Sequence, residues 1–221
     1  MKAMLGLRQW GVAVSLALAG ATVMGAEEVR TTLVTQAQGT VQMVQADGKV
    51  TPVVTFSKLK PGTRVSVGDD GRFQLVYLST GQQETWGSSS QIETGDTESK
   101  PIKASKLPTI KQLPAAILKG LTQAPVAITD ITSIHGMIRV RTAIDGSKLE
   151  TVEKNYKMFR AQAADDDVTP ELYLLGALSE LRQADRMKQP LEQMLKRQPA
   201  SAEIREVHSA YVKHEVSGAA K

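Results

Sequence analysis

The stretch from Leu59 to Ile92, LKPGTRVSVGDDGRFQLVYLSTGQQETWGSSSQI, limits what this chain can fold into more than any other. Apolar runs alternate there with clusters of Pro, Gly, Asp and Ser, the pattern of short antiparallel strands. Arg64 to Val67 is one run and Phe73 to Leu78 the next, followed by a segment carrying Trp86 and by Gln91-Ile92-Glu93. In the run Phe73 to Leu78, Phe73, Leu75 and Tyr77 point one way, and Gln74, Val76 and Leu78 the other. Neither face is fully polar, so the strand is expected to be central and covered on both sides. Pro61-Gly62 suits a type II turn, because proline pre-sets φ and glycine accepts a positive φ after it. Gly68-Asp69-Asp70-Gly71 is expected to close a hairpin, with later turns at Gly81 and Gly87-Ser88-Ser89-Ser90. No catalytic or cofactor motif interrupts the stretch.

Upstream, Val29 to Val34 and the alternating Gly39 to Val44 read as strands. Ala46-Asp47-Gly48 is a hairpin turn and Val50 to Phe56 the return. Residues 27–98 are thus expected to form a small antiparallel all-β domain. Residues 1–26 have the form of a secretory leader: Lys2 and Arg8, then an apolar core from Gly11 to Ala19, then small residues. Cleavage after Ala21 competes with cleavage after Ala26, and the second is preferred because Glu27-Glu28 opens the polar chain. Without Lys2 and Arg8 the formal charge falls from +4 to +2, with 25 basic residues against 23 acidic ones. That balance gives no reason to propose nucleic acid as a partner. The chain has no cysteine, which removes disulfides, thiol catalysis and thiolate metal sites together.

A glycine before an alternating strand (Gly39-Thr40-Val41-Gln42-Met43-Val44) comes first, and a turn then leads to Val65-Ser66-Val67-Gly68-Asp69. Phe73 to Leu78 with Ser79-Thr80-Gly81 follows, and Gly87-Ser88-Ser89-Ser90-Gln91-Ile92 closes the unit. The segment resembles the FecR-type extracytoplasmic β-domain of bacterial envelope proteins. The likeness covers roughly a third of the chain, and its positions are turns and core residues with no chemical group. It departs from the family in carrying Ser79-Thr80-Gly81 where an Asp-Gly turn is usual. The chain also lacks the cytoplasmic anti-sigma segment and membrane helix of the iron-signalling members. The resemblance therefore implies an envelope β-module and puts iron signalling in doubt.

Residues 99–146 read as a Lys/Pro-rich linker. Lys100, Lys103, Lys106, Lys111 and Lys119 occur with no acidic residue between Glu98 and Asp130, and Pro101, Pro108, Pro114 and Pro125 interrupt long elements. Ile110, Leu113, Ile117 and Leu121 recur at helical spacing, with Gly120 as a C-terminal end. Such a short helix could lie on an anionic membrane through its lysines. The preferred reading is that it packs on the β-domain. Met137 to Ala143 alternates and is expected as a further strand.

Residues 147–216 are helical, followed by a disordered tail at 217–221. Ser147 and Glu150 form a capping box, and Leu149, Val152, Tyr156 and Phe159 a stripe. Thr169 caps a second helix with Pro170 at its start, and Leu172, Leu175, Leu178 and Leu181 form its buried face. Met187, Leu191, Met194 and Leu195 stripe a third segment; Ile204, Val207 and Tyr211 stripe a fourth. Leu181 to Pro199 resembles the second half of a tetratricopeptide repeat. Pro190 departs from that pattern and either kinks the helix or starts a new one. The fold class is α+β: a small β-domain followed by a helical hairpin module.

Chemistry-bearing residues are sparse. His208 and His214 fall on different helical faces and His135 stands apart, so they make no ready zinc site. Asp165-Asp166-Asp167 lacks the glycine and distal glutamate of a calcium loop and reads as a solvated loop favouring the next helix N-terminus. Asp69, Asp70 and Glu84 would have to converge in space for glycoside chemistry. No catalytic, cofactor-binding or metal site is assigned. The expected function is a non-enzymatic exported, periplasmic protein that binds or scaffolds another envelope protein. The alternative is a cell-wall polysaccharide-binding module in which exposed Tyr77 or Trp86 stacks on sugar rings and Lys103 to Lys119 meet anionic polymer, and an envelope hydrolase is a third reading.

Overall fold

The computed structural model describes residues 31–44, 48–132 and 146–219. The leader, His135 and the strand expected over Met137–Ala143 lie outside the described residues. Among the described residues ten strands form two five-stranded antiparallel sheets. They are β1 Thr32–Gln38, β2 Val41–Val44, β3 Val50–Pro52, β4 Lys58–Leu59, β5 Arg64–Val67, β6 Arg72–Tyr77, β7 Gln82–Trp86, β8 Ser90–Thr94, β9 Ser99–Lys103 and β10 Thr109–Gln112. One sheet runs β10-β7-β6-β1-β4 and the other β3-β2-β5-β8-β9. With the helices that follow, the α+β class stands as expected.

The strand period of two divides the burial. Phe73, Leu75 and Tyr77 of β6 meet Val34, Val41, Val65, Val67, Trp86 and Ile92 between the sheets. Val76 and Leu78, from the opposite face of the same chain segment, join Leu33 and Phe56 against the helices. The β6 strand is the middle one of its sheet and is covered on both faces. Gly68 to Gly71 forms a turn closed by Gly71 N–H on Gly68 C=O at 3.0 Å. It does not close a hairpin, however, because β5 and β6 belong to different sheets and the turn crosses between them. Local turn chemistry was legible there; which strands the turn joins is decided by burial.

The helices are α1 Ala115–Thr132, α2 Gly146–Gln162, α3 Thr169–Glu180, α4 Lys188–Arg197 and α5 Ala202–Ala219, with a 3-10 turn at Ala184–Arg186. Every residue of α3 from Thr169 to Leu178 is buried. A helix covered on all sides needs neighbours that come close, and α1 does so through a run of small residues, Gly120, Ala124 and Ala127. A Cβ on Gly176 of α3 would collide with the carbonyl oxygen of Gly120 and stand 2.8 Å from the Ala124 nitrogen. A Cβ on Gly120 would lie 2.7 Å from the Tyr173 carbonyl oxygen. These contacts are backbone against backbone, so no side-chain rotation relieves them.

Residues 99–112, expected as linker, are instead strands that complete both sheets: β9 pairs with β8 and β10 with β7. Ile110 lies on β10 and is exposed, while Leu113, Ile117 and Leu121 are buried. The helix is eighteen residues long rather than two turns. Gly120 lies inside it, where the crossing with α3 requires glycine. Pro125 lies inside it too; losing one backbone bond costs about 3 kcal/mol, which burial of Leu121, Ala124, Ala127 and Ile131 offsets. The β-region and the helices therefore share one core, and no extended linker separates residues 98 and 115. Pro190 sits in the first turn of α4, where its missing N–H is not needed. The α2 helix begins at Gly146, one residue before the expected cap. The α5 helix continues to Ala219, into the stretch expected as a disordered tail.

Replacing Gly176 by Ala removes a helical glycine, a gain of about 1 kcal/mol, but forces backbone overlap at the crossing. The overlap should win, lowering unfolding free energy by about 2 kcal/mol net. Gly87→Ala, with nothing near its Cβ, should change stability by less than about 0.5 kcal/mol. Urea unfolding of the two variants beside the parent checks both values.

Candidate functional site

A buried ionisable cluster can mark a site. Glu171, in the first turn of α3, is fully buried. Its carboxylate accepts bonds from Arg160 Nη1 at 3.1 Å and Arg197 Nε at 3.1 Å, and from the Tyr156 hydroxyl at 3.2 Å. The two guanidiniums reach further. Arg160 donates to the carbonyls of Asp167 and Ala164, and Arg197 Nη1 to the Asp165 carbonyl at 2.9 Å. Gln198 Nε2 donates to the Asp166 carbonyl at 2.7 Å. One carboxylate on α3 thus holds side chains of α2 and α4, and through them the loop 164–167. All acceptors are used internally, so the cluster acts as a clamp.

The aspartate run, expected as a solvated loop, is instead tied into the same network. The carbonyls a calcium ion would need are taken by cationic and amide donors. Asp166 Oδ2 is paired with Arg72 Nη1 at 3.1 Å. Asp167 is buried, and its Oδ1 accepts the Thr169 N–H at 2.9 Å and the Thr169 hydroxyl at 2.5 Å. Asp167, not Thr169, thereby satisfies a free N–H at the start of α3. Gln83 Nε2 of β7 donates to both Asp167 Oδ2 at 3.2 Å and Thr169 Oγ1 at 3.0 Å. Among the described residues no group of three or more His, Asp or Glu side chains is arranged to hold a metal ion.

Glu84 is buried between the sheets. Its Oε1 accepts from Gln82 Nε2 and the Ser99 N–H, each at 2.9 Å, and its Oε2 from Trp86 Nε1 at 2.9 Å. Trp86 and Tyr77 are both buried, with the Tyr77 hydroxyl 2.8 Å from Ser99 Oγ. Neither ring offers a platform for a sugar, which removes the stacking residues assigned to the polysaccharide alternative but not its lysines, Lys103 to Lys119. Asp69 bonds the Ser89 hydroxyl, and Asp70 Oδ1 accepts the Thr40 N–H at 3.1 Å. That bond holds the Asp70 carboxyl below the usual carboxylate range. Glu84 pairs across the ladder with Leu75, so at least three strand residues, about 10 Å, separate it from the Asp69-Asp70 turn. The three carboxyls are not brought together. His208 is half-buried on α5.

A groove of about 640 Å³ opens among β2, β4, the turn after β4, and β5, with Glu93 of β8 at its margin. Met43, Val44, Leu59 and Pro61 supply apolar surface, and Lys58, Lys60 and Arg64 stand around it with Glu93 as the one acidic group. The turn Lys60-Pro61-Gly62-Thr63 forms its wall: Gly62 has φ +84°, and Thr63 N–H bonds Lys60 C=O at 3.2 Å. Thr94 Oγ1 donates to the same carbonyl at 2.7 Å, which ties the wall to β8. Arg64 Nε meets Glu93 Oε2 at 3.0 Å. A second groove, about 400 Å³, lies among the helices over Leu174, Leu178 and Tyr156, and the Arg186–Glu153 ion pair at 2.9 Å joins two of its lining residues. Sequence reading placed the Pro61-Gly62 turn but not the groove. The available signal was three basic residues at Lys58, Lys60 and Arg64 around a rigid turn.

No family model, curated protein or solved structure matches the chain.

Two consequences of the buried groups are measurable. Glu171→Ala leaves two guanidiniums without their shared carboxylate and should cost about 3–5 kcal/mol, read from the urea midpoint. Burial pushes the Tyr77 and Tyr156 hydroxyls up to about 12, with Glu84 and Glu171 adding to the rise. An unfolded tyrosine ionises near pH ~10. The folded state thus keeps protons that the unfolded chain loses. This contribution is complete below pH ~10 and is lost as pH rises through about 12. Tyr77→Phe and Tyr156→Phe should each flatten the alkaline fall in melting temperature, and tyrosinate absorbance should show late ionisation of Tyr77, Tyr156 and Tyr173, the last also raised by burial.

Proposed function

We propose that this is a non-enzymatic binding or scaffold protein of the bacterial envelope, exported and periplasmic, whose task is to hold another protein. The observation that carries the reading is the groove lined by Met43, Val44 and residues 57–64, with apolar surface and an excess of cations. Its occupant is an extended, acidic segment of the partner: alternate side chains would meet Met43, Val44 and Pro61, and carboxylates would meet Lys58, Lys60 and Arg64. Supporting it, the buried carboxylates Glu84, Asp167 and Glu171 have their acceptors occupied by the fold's own donors. The FecR-type resemblance points to the same class. A cell-wall polymer is the weaker reading, since the groove lining contains no aromatic ring and Trp86 is buried.

A synthetic peptide of alternating glutamate and valine serves as probe. NMR titration should shift amides of Met43, Val44 and residues 57–64 while leaving the helices unchanged. Lys60→Glu should weaken binding about tenfold by placing like charge in the groove, and added salt should weaken the parent. Shifts scattered over the surface, or a Lys60→Glu variant that binds as the parent does, would refute the groove.

A further inference from the structure

The β9/β10 side of the sandwich carries a strip of which only Ala104 is packed on a core. The β9 strand is the outer strand of one sheet and β10 of the other, and residues 104–108 run directly between them. Along this strip Ile102, Leu107 and Ile110 leave 54%, 82% and 58% of their surface exposed, the three highest values among the large apolar residues described. Lys100, Lys103 and Lys106 alternate with them and are exposed. No acidic residue occurs from Ser99 to Thr129. Asp96 and Glu98, in the β8–β9 turn, close one end.

Three kinds of surface could cover such a strip, and two fit poorly. Strand addition needs a continuous row of backbone donors. Pro101 removes one from β9, Pro108 precedes β10, and the β8–β9 register shifts between Gln91 and Ile92. A second copy of this chain would set the same lysines against each other across a two-fold axis. A surface that is apolar beneath and anionic above meets both residue types at once without strand pairing.

We propose that Lys100–Ile110 docks the protein on an anionic phospholipid surface. Leu107, at the connection between the two edges, enters the acyl boundary deepest, with Ile102 and Ile110 beside it. Lys100, Lys103 and Lys106 lay their alkyl stems along the boundary and meet headgroup phosphates. No described helix is long and apolar enough to cross a membrane; this is attachment by a strand edge and a loop. It differs from the helical membrane contact weighed from sequence, whose Leu113, Ile117 and Leu121 are in the core. The inference is independent of the groove, so the failure of either leaves the other standing.

Sedimentation with vesicles tests it. The form expected after leader removal, residues 27–221, is used because Gly11–Gly25 would itself enter lipid. Vesicles of phosphatidylcholine and phosphatidylglycerol in equal parts should carry the protein down at low salt, and phosphatidylcholine alone should not. Lys103→Gln with Lys106→Gln should weaken binding about 25-fold, roughly fivefold per lysine. Leu107→Asp should abolish it. Both variants should melt as the parent does, because the altered side chains are exposed. Absence of binding to anionic vesicles, equal binding to both vesicle types, or undiminished binding by Leu107→Asp overturns the proposal. Should Leu107→Asp instead abolish binding of the glutamate–valine peptide while vesicles bind nothing, the strip serves a protein and the lipid assignment falls.

Discussion

The approach of α1 to α3 is the constraint on which the helical layer depends. With Gly120 and Gly176 facing each other, the two backbones meet without intervening side chains, and α3 sinks far enough to be covered on every side. That depth places Leu172, Leu175 and Leu178 in one core with Val76 and Leu78 of the sheet. It also carries Glu171 and Thr169 out of water. A buried carboxylate without partners would be costly, so the depth of α3 in turn requires the Arg160–Glu171–Arg197 clamp. Glycine contact and ion cluster are therefore two parts of one solution.

The seam between sheet and helices is polar where α3 begins and apolar further along. Gln74 accepts from the Thr35 hydroxyl at 2.8 Å and donates to Thr85 Oγ1 at 3.1 Å, while Gln83 reaches Asp167 and Thr169. Directional bonds at one end fix the register of α3 on the sheet, and apolar contacts at Val76 and Leu78 tolerate small shifts at the other. Lys111 of β10 adds a third tie, donating to the Gln162 carbonyl at 2.9 Å, with its ammonium 5.4 Å from the centre of the Phe159 ring. The lysines of residues 100–119 thus divide by role: Lys111 and Lys119 bind the helices, Lys119 through Glu180 at 2.5 Å, whereas Lys100, Lys103 and Lys106 face outward.

Local rules made much of the fold legible. The two-faced burial of Phe73 to Leu78, the turn at Pro61-Gly62, the burial of Met187, Leu191 and Met194 and the start of α3 at Thr169-Pro170 all follow from period, turn chemistry or proline geometry. What local rules missed was long-range. Nothing near Gly120 distinguishes a helix end from a helix crossing, because the reason for glycine there is Gly176, fifty-six residues away. Residues 99–112 read as linker because lysine and proline dominate them, yet those are the residues that suit edge strands, where one side of the backbone remains unpaired. The groove was illegible for the same reason. Lys58 and Arg64 lie on strands of different sheets, and only the sandwich sets them around Pro61.

The placement of charge separates structure from recognition. Carboxylates withdrawn from water, Glu84, Asp167 and Glu171, are each met by several donors fixed in position, an arrangement that resists movement. Cations at the two open sides of the sandwich are arranged differently. They stand beside apolar surface, near edge strands that no further strand continues. The helices cover the outer face of one sheet, while the other sheet leaves Gln42, Val44, Arg64 and Gln91 exposed. In this chain both open sides combine lysine with exposed apolar groups: Lys58 and Lys60 with Val44 and Pro61 on one, Lys103 and Lys106 with Ile102 and Leu107 on the other. They differ in shape, a walled groove against a projecting edge. A groove admits a chain of limited width, and a projecting edge meets a broad surface. That difference in shape is why a peptide segment is assigned to the first and a lipid surface to the second.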